Sequence, residues 1–308
     1  MTTRILITNF ILPAVIIVAV SLYLTFRNTD RLLYELPQLE KYSISQVSMI
    51  KINKGDNELV VTRKDDGWVL GSNEYPAAPA QVDAMLNTLV NINITDLVSE
   101  TSAYSRFELD PESVLRVITY GGDSVIQAID IGKEARTYQH TYVRLSNDSN
   151  VYQAEGNLGN TFPVTADALR DKIVLIFDPA LVSQINVRTL TEELILKKRP
   201  SIEEGGAASW STSKGLDWDS TAVEEALQQL SDLSTFRFAD EEASLENTIL
   251  GLDFISEDGK EQSLRIFEKE GNSYPGQSSD SSYPFLLFVW MVNGFLDAFT
   301  VTGAPSED

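Results

Sequence analysis

The stretch QVSMIKINKGDNELVVTRK, residues 46–64, lies over LVSQINVRTLTEELILKKR, residues 181–199, at a constant shift of 135. Val47 and Ser48 meet Val182 and Ser183. Ile50, Ile52, Leu59 and Val60 meet Ile185, Val187, Leu194 and Ile195, while Glu58 meets Glu193 and Arg63 meets Lys198. Apolar residues alternate through the first half of each copy, and branched residues fill the second half after a polar turn. That pattern predicts two antiparallel strands per copy.

Working outward, the second copy carries an insertion, PSIEEGGAA, after which Trp210 corresponds to Trp68. At a shift of 141, Val82, Met85, Leu86, Leu89 and Ile92 fall on Val223, Ala226, Leu227, Leu230 and Leu233. Spacings of three and four mark one face of an amphipathic helix, and Thr221 with Glu224 has the spacing of a capping box. Downstream, VLRVITYGGDSVIQAIDIG and TILGLDFISEDGKEQSLRIF each read as a hairpin, turning at Gly121-Gly122 and Asp258-Gly259. The first copy continues through TYVRL and NVYQA to a short helical stretch, TADALRDK. The second continues through a serine-rich loop, SYPGQSSDSSYP, to PFLLFVW and a closing amphipathic helix. A period near 135 means duplicated domains, since solenoid repeats run roughly 20 to 50 residues. The expected fold class is α+β: two tandem domains, residues 32–176 and 177–308, each an antiparallel sheet with a helix packed on it.

Residues 1–31 read differently. Between Arg4 and Arg27 lie 22 uncharged residues, ILITNFILPAVIIVAVSLYLTF. As a helix over about residues 5–26 they would reach roughly 33 Å, the thickness of a hydrocarbon core. Asn9 and Pro13 interrupt the run near its start, where lipid tolerates them, and Tyr23 and Phe26 sit where an aromatic belt would. A cleaved signal peptide is the alternative, but Leu22 to Leu24 prolong the apolar run past the nearest small-x-small triplet, Ala19-Val20-Ser21. Positive charge slightly disfavours a cytoplasmic amino terminus, with Arg4 on one side against Arg27, Arg31 and Lys41 on the other. A short tail before a long polar region is nevertheless the usual signal-anchor layout. The expectation is a single-pass membrane protein with its domains on the extracytoplasmic side.

Composition excludes more than it selects. The 308 residues hold 45 acidic against 24 basic side chains, a net charge of −21, which repels phosphate backbones and argues against a nucleic-acid partner. Without cysteine and with one histidine, thiolate chemistry, disulfides and two-imidazole metal sites are excluded, and no cofactor is expected. His140, in RTYQHTYVRL, reads as a surface or edge residue with nothing nearby to complete a triad. Asp65-Asp66 reads as turn chemistry and Asp217-Trp218-Asp219 as a helix start. A carboxylate-based hydrolase or a calcium site in the acidic loops stays open, because such sites are assembled in space. Trp68 and Trp210 read as core anchors. The run PFLLFVWMV, 284–292, reads as a buried strand entering the last helix, with an alternative as a partner contact through Phe285, Leu286, Leu287, Phe288 and Trp290.

The order of these segments resembles the bacterial family called domain of unknown function 4340. The resemblance is carried by Leu36-Pro37, the VSMIKI strand, Gly67-Trp68, the proline-led helix, FELDP at 107–111 and LRDK at 169–172 before FDPALVSQINV. Phe107 and Glu108 replace the aromatic and glycine usual in the family. The resemblance is good over residues 36–200 and weak beyond. It implies a membrane-anchored extracytoplasmic protein, with an ABC-2 type permease and a gliding-motility-like auxiliary subunit as partners, and it carries no catalytic residues. A non-catalytic accessory subunit of an ABC-type export system is therefore the expectation. A cell-envelope hydrolase and a stand-alone ligand-binding sensor are the alternatives.

Overall fold

The computed structural model describes residues 12–26, 34–136, 138–200, 209–239 and 245–300. Helix α1 covers Leu12–Phe26. The expected span begins earlier, at about residue 5, and residues 1–11, with Asn9, lie outside the described residues. Among those described, no helix is long and apolar enough to cross a membrane.

Beyond α1 the described residues build two nine-stranded sheets from antiparallel pairs. The first comprises β1 (Met49–Lys54), β2 (Asn57–Lys64), β3 (Gly67–Leu70), β4 (Tyr75–Pro76), β5 (Ile94–Ser99), β6 (Leu115–Gly121), β7 (Ser124–Glu134), β8 (His140–Leu145) and β9 (Val151–Glu155), with α2 (Pro79–Val90) between β4 and β5. A four-residue helix α3 (Ala166–Leu169) and β10 (Ile173–Ile176) follow. The second comprises β11 (Val182–Thr189), β12 (Glu193–Arg199), β13 (Ser209–Thr212), β14 (Asp217–Trp218), β16 (Arg237–Phe238), β17 (Thr248–Ser256), β18 (Glu261–Phe267), β19 (Ser273–Ser278) and β20 (Phe285–Phe288). Helix α4 (Ser220–Leu230) follows β14 and α5 (Val289–Phe299) follows β20, while β15 (Asp232–Ser234) pairs with β10 in a separate ribbon. The strand orders are β4-β3-β2-β1-β6-β7-β8-β9-β5 and β14-β13-β12-β11-β17-β18-β19-β20-β16, which match position for position. By contact density the chain forms two compact units, 1–63 with 83–164 and 64–82 with 165–308.

Alternation makes the sheets. Across β1, Ile50 faces Val61 and Thr119, and Ile52 faces Leu59 and Val117. Across β11, Ile185 faces Leu196 and Phe254, and Val187 faces Leu194 and Leu252. All are buried except Leu194, which packs against the core from its margin. In the second unit α4 adds Val223, Ala226, Leu227 and Leu230, and α5 adds Val292, Phe295 and Phe299. Trp210 lies wholly inside, its Nε1 donating to Glu224 Oε1 at 2.8 Å. Trp218 Nε1 donates to the Ala298 carbonyl at 2.9 Å and so ties the end of α5 to β14.

Three local expectations differ from what is observed. The N-cap of α4 is Asp219, whose Oδ1 accepts from the amides of Thr221 and Ala222, because Glu224 is drawn away to Trp210 and Lys198. The helix in TADALRDK stops at Leu169, because Arg170 turns to extended backbone and bridges Ala77. The first half of the serine-rich loop is strand β19, recruited by ladder bonds to β18 and β20.

At FELDP, Glu108 has φ +56° and ψ +38°, the left-handed conformation a glycine adopts without strain. Phe107 and Leu109 on either side are buried. Gly132 of β7 passes so close that a Cβ there would lie 2.2 Å from the Phe107 carbonyl oxygen. Gly132→Ala is therefore expected to lower stability by about 1–3 kcal/mol. Glu108→Gly is expected to be neutral or stabilising by up to about 1 kcal/mol, because lost strain offsets added chain entropy. Thermal melts of the two variants against the parent check both signs.

Candidate functional site

The second unit gathers its surface aromatics and one buried cation at a single corner. Strand β20 alternates, so Phe285 and Leu287 point into the core, and Leu286 is buried too where it pairs with Arg237 of β16. Of the five residues expected to contact a partner, these three are core. The chain then turns into α5, leaving Phe288 43% and Trp290 67% exposed. Phe236, just before β16, is 37% exposed and stacks on Phe288 with ring centroids 4.3 Å apart at 24°. Trp290 continues the stack at 6.4 Å and 17°. The three rings form an apolar ridge. Its third member was missed in the sequence, although Phe236 and Phe238 alternate about Arg237 as strand residues do. Of the residues assigned to the anchor, Tyr23 is exposed on α1, Pro13 lies within that helix, and Phe26 is its last residue.

Beside the ridge, LRDK is a clasp between segments far apart in sequence. The Leu169 carbonyl accepts from the Ala78 amide, and the Asp171 amide donates to the Pro76 carbonyl. Lys172 Nζ reaches the Phe236 carbonyl at 3.4 Å and Asp167 at 3.5 Å. Arg170 is only 9% exposed, and its guanidinium carbon lies 3.3 Å from the Phe238 ring centroid, 3.9 Å from Tyr75 and 4.5 Å from Tyr283. Burial pulls its pKa below the ordinary value, against the opposing influence of Tyr75, Tyr283 and Asp167. Tyr283 is held over the group by an edge contact with Tyr75, centroids 4.9 Å apart, and by donating its hydroxyl to the Asn73 carbonyl.

The first unit has a different cluster, on the sheet face opposite its buried residues. Asp130 of β7 stands directly between Arg116 of β6 and Arg144 of β8. Arg116 grips it with both Nε (2.7 Å) and Nη2 (3.1 Å), and Arg144 donates from its own Nε at 3.1 Å while lying over the Tyr104 ring. Burial by itself would raise the Asp130 pKa, but the hydrogen bonds from Arg116 and Arg144 outweigh it and hold the carboxyl below its ordinary value. His140 opens β8, where its carbonyl accepts from the Ala135 amide. Among the described residues, no group of three or more histidine and carboxylate side chains is placed to hold a metal ion.

These features define an α+β protein of two nine-stranded sheets with an aromatic corner on the second unit. The chain belongs to the family described as domain of unknown function (DUF4340), which matches residues 68–250. No curated protein and no solved structure matches it.

Asp130→Asn, which leaves two arginines without their carboxylate, is expected to cost about 2 kcal/mol. Because the folded pKa lies below the unfolded value of about 3.9, the parent holds this increment in full above that pH and loses it as pH falls through the folded value. Denaturant titrations at pH 7 and near pH 3 should show the gap between parent and variant narrowing in acid.

Proposed function

We propose that the chain is a non-catalytic accessory subunit, anchored in a bacterial inner membrane by its N-terminal helix and holding two duplicated units on the extracytoplasmic side. Its partners on this reading are the ABC-2 type permease and gliding-motility-like auxiliary subunit of an export system. The observation that carries the reading is the ridge of Phe236, Phe288 and Trp290, three stacked rings left to solvent beside a core that buries Phe254, Phe285, Phe295 and Phe299. Clustered aromatics are the side chains from which protein interfaces draw most of their energy.

The anchor is supported by the run of 22 uncharged residues between Arg4 and Arg27 and by the exposure of Val15, Ile16, Ile17, Val18, Val20 and Leu22 around α1. A helix apolar on every side has its natural surroundings in lipid or against other apolar helices. Removing Arg4, Arg27, Arg31 and Asp30 leaves 21 basic against 44 acidic residues, a net charge of −23 on the rest of the chain. Anionic lipid repels such units, so helix and protein partner do the holding. In this mechanism the helix sets the units beside the permease, and the ridge seats on it.

A photo-cross-linker at position 290 of the full-length protein in native membranes tests the ridge. Capture of the permease or auxiliary subunit is expected, with the yield falling at least tenfold in Phe236→Ser/Phe288→Ser while the melting temperature holds, a loss of more than about 1.4 kcal/mol. Cross-links to lipid alone count against it. Protease added to intact spheroplasts tests the placement, which fails if the region after residue 40 stays uncut.

A further inference from the structure

The side chain of Arg170 is nine-tenths buried, and its Nε and Nη2 have no hydrogen-bond partner among the described residues. These two atoms are not a random pair. They form the side edge of the guanidinium, whose parallel N–H bonds fit the two oxygens of a carboxylate. The same chain shows the edge in use, since Arg116 grips Asp130 with its own Nε and Nη2 at 2.7 and 3.1 Å. Among the described residues no carboxylate takes that place at Arg170, and Asp167 is exposed and turned to Lys172. Buried donors left unmade are costly and uncommon, the more so on a charged group. Phe238 and Tyr75, at 3.3 and 3.9 Å, lie over the guanidinium and satisfy its charge through their π-systems, but a ring face does nothing for donors lying in the guanidinium plane.

We propose that the Nε/Nη2 edge of Arg170 is a binding site for a carboxylate group, entered when Tyr283 moves off the guanidinium. The covering side chain belongs to a connection between strands and not to a strand. Tyr283 lies in residues 279–284 between β19 and β20, and its ring is held by one hydroxyl donation, to the Asn73 carbonyl at 3.2 Å, and by edge contacts with Tyr75 and Phe238. The other two rings stay as walls and Arg170 supplies the fork. A planar, two-oxygen anion matches the two parallel N–H bonds of that edge. The carboxylate comes either from a small free acid or from the end of a peptide chain, which share this chemistry.

The test follows the Nε–H signal of Arg170 in full-length protein labelled with nitrogen-15 arginine, assigned through its proximity to the Phe238 ring and its loss in Arg170→Lys. Titration with acetate at constant ionic strength is expected to move the signal saturably, whereas chloride does not. A short peptide with a free C-terminus, compared with its amidated form, distinguishes the sources. A response to acetate and to the free peptide assigns the general carboxylate, and a response to the free peptide alone assigns a chain end. In Tyr283→Ala, which keeps the fork and removes its cover, half-saturation is expected at a several-fold lower concentration. A signal unmoved by acetate and by either peptide overturns the proposal, as does an equal response to the amidated peptide. A response confined to Tyr283→Ala also overturns it, since the native fork would then be sealed.

Discussion

Each sheet is organised around one strand that must satisfy neighbours on both sides: β1 between β2 and β6, and β11 between β12 and β17. Ile50 and Ile52 each meet a buried residue on either flank, as do Ile185 and Val187, with marginal Leu194 the exception. Because side chains alternate with period two, a slip of one residue would turn all of these into solvent at once. That penalty fixes register, and register fixes which face carries the core and which carries the charged rows. Helices α4 and α5 then have only one apolar surface to cover.

This constraint was legible because it is local in period even though its partners are distant. The alternation in 46–64 and 181–199, the turns at Gly121-Gly122 and Asp258-Gly259, and the spacing of Val223, Ala226, Leu227 and Leu230 each state a preference within a dozen residues. Strands and helices appear where those preferences lie. Legibility failed where a tertiary partner outbid a local one. Thr221 and Glu224 have the spacing of a capping box, yet the Trp210 indole takes Glu224 and leaves the cap to Asp219. Residues 273–278 read as loop because serine, proline and glycine punctuate them, yet β18 and β20 supply a ladder on each side.

The corner around Arg170 was legible only in outline. LRDK stood out as a junction, but nothing in its spacing names Tyr75, Phe238 and Tyr283 as neighbours, which come from segments 95, 68 and 113 residues away. A cation caged by rings has no periodic signature, because each ring is placed by its own strand or loop. The ridge was half legible for a related reason. PFLLFVWMV declares itself apolar, but only the turn from β20 into α5 decides that Phe288 and Trp290 face outward while Phe285 and Leu287 do not.

The charged rows show what equal topology does not fix. Reading across β1, β6, β7 and β8 gives Asn53, Arg116, Asp130 and Arg144, and the matching row across β11, β17, β18 and β19 is Arg188, Gly251, Arg265 and Gln277. In the first row the carboxylate stands between two arginines. In the second the middle residue is glycine, and a Cβ there would lie 3.3 Å from Arg265 and 3.6 Å from Arg188, so the missing side chain lets both stems close in. Their guanidinium groups then reach Asp253, two residues along β17, instead of a carboxylate within the row. Both units thus place two arginines about one aspartate, but the first does so on β6, β7 and β8, and the second on β11, β17 and β18, whose counterparts are β1, β6 and β7. The common backbone therefore does not fix where the cluster sits: in a chain of net charge −21, each unit surrounds one aspartate with arginines, displaced by one strand between the two sheets.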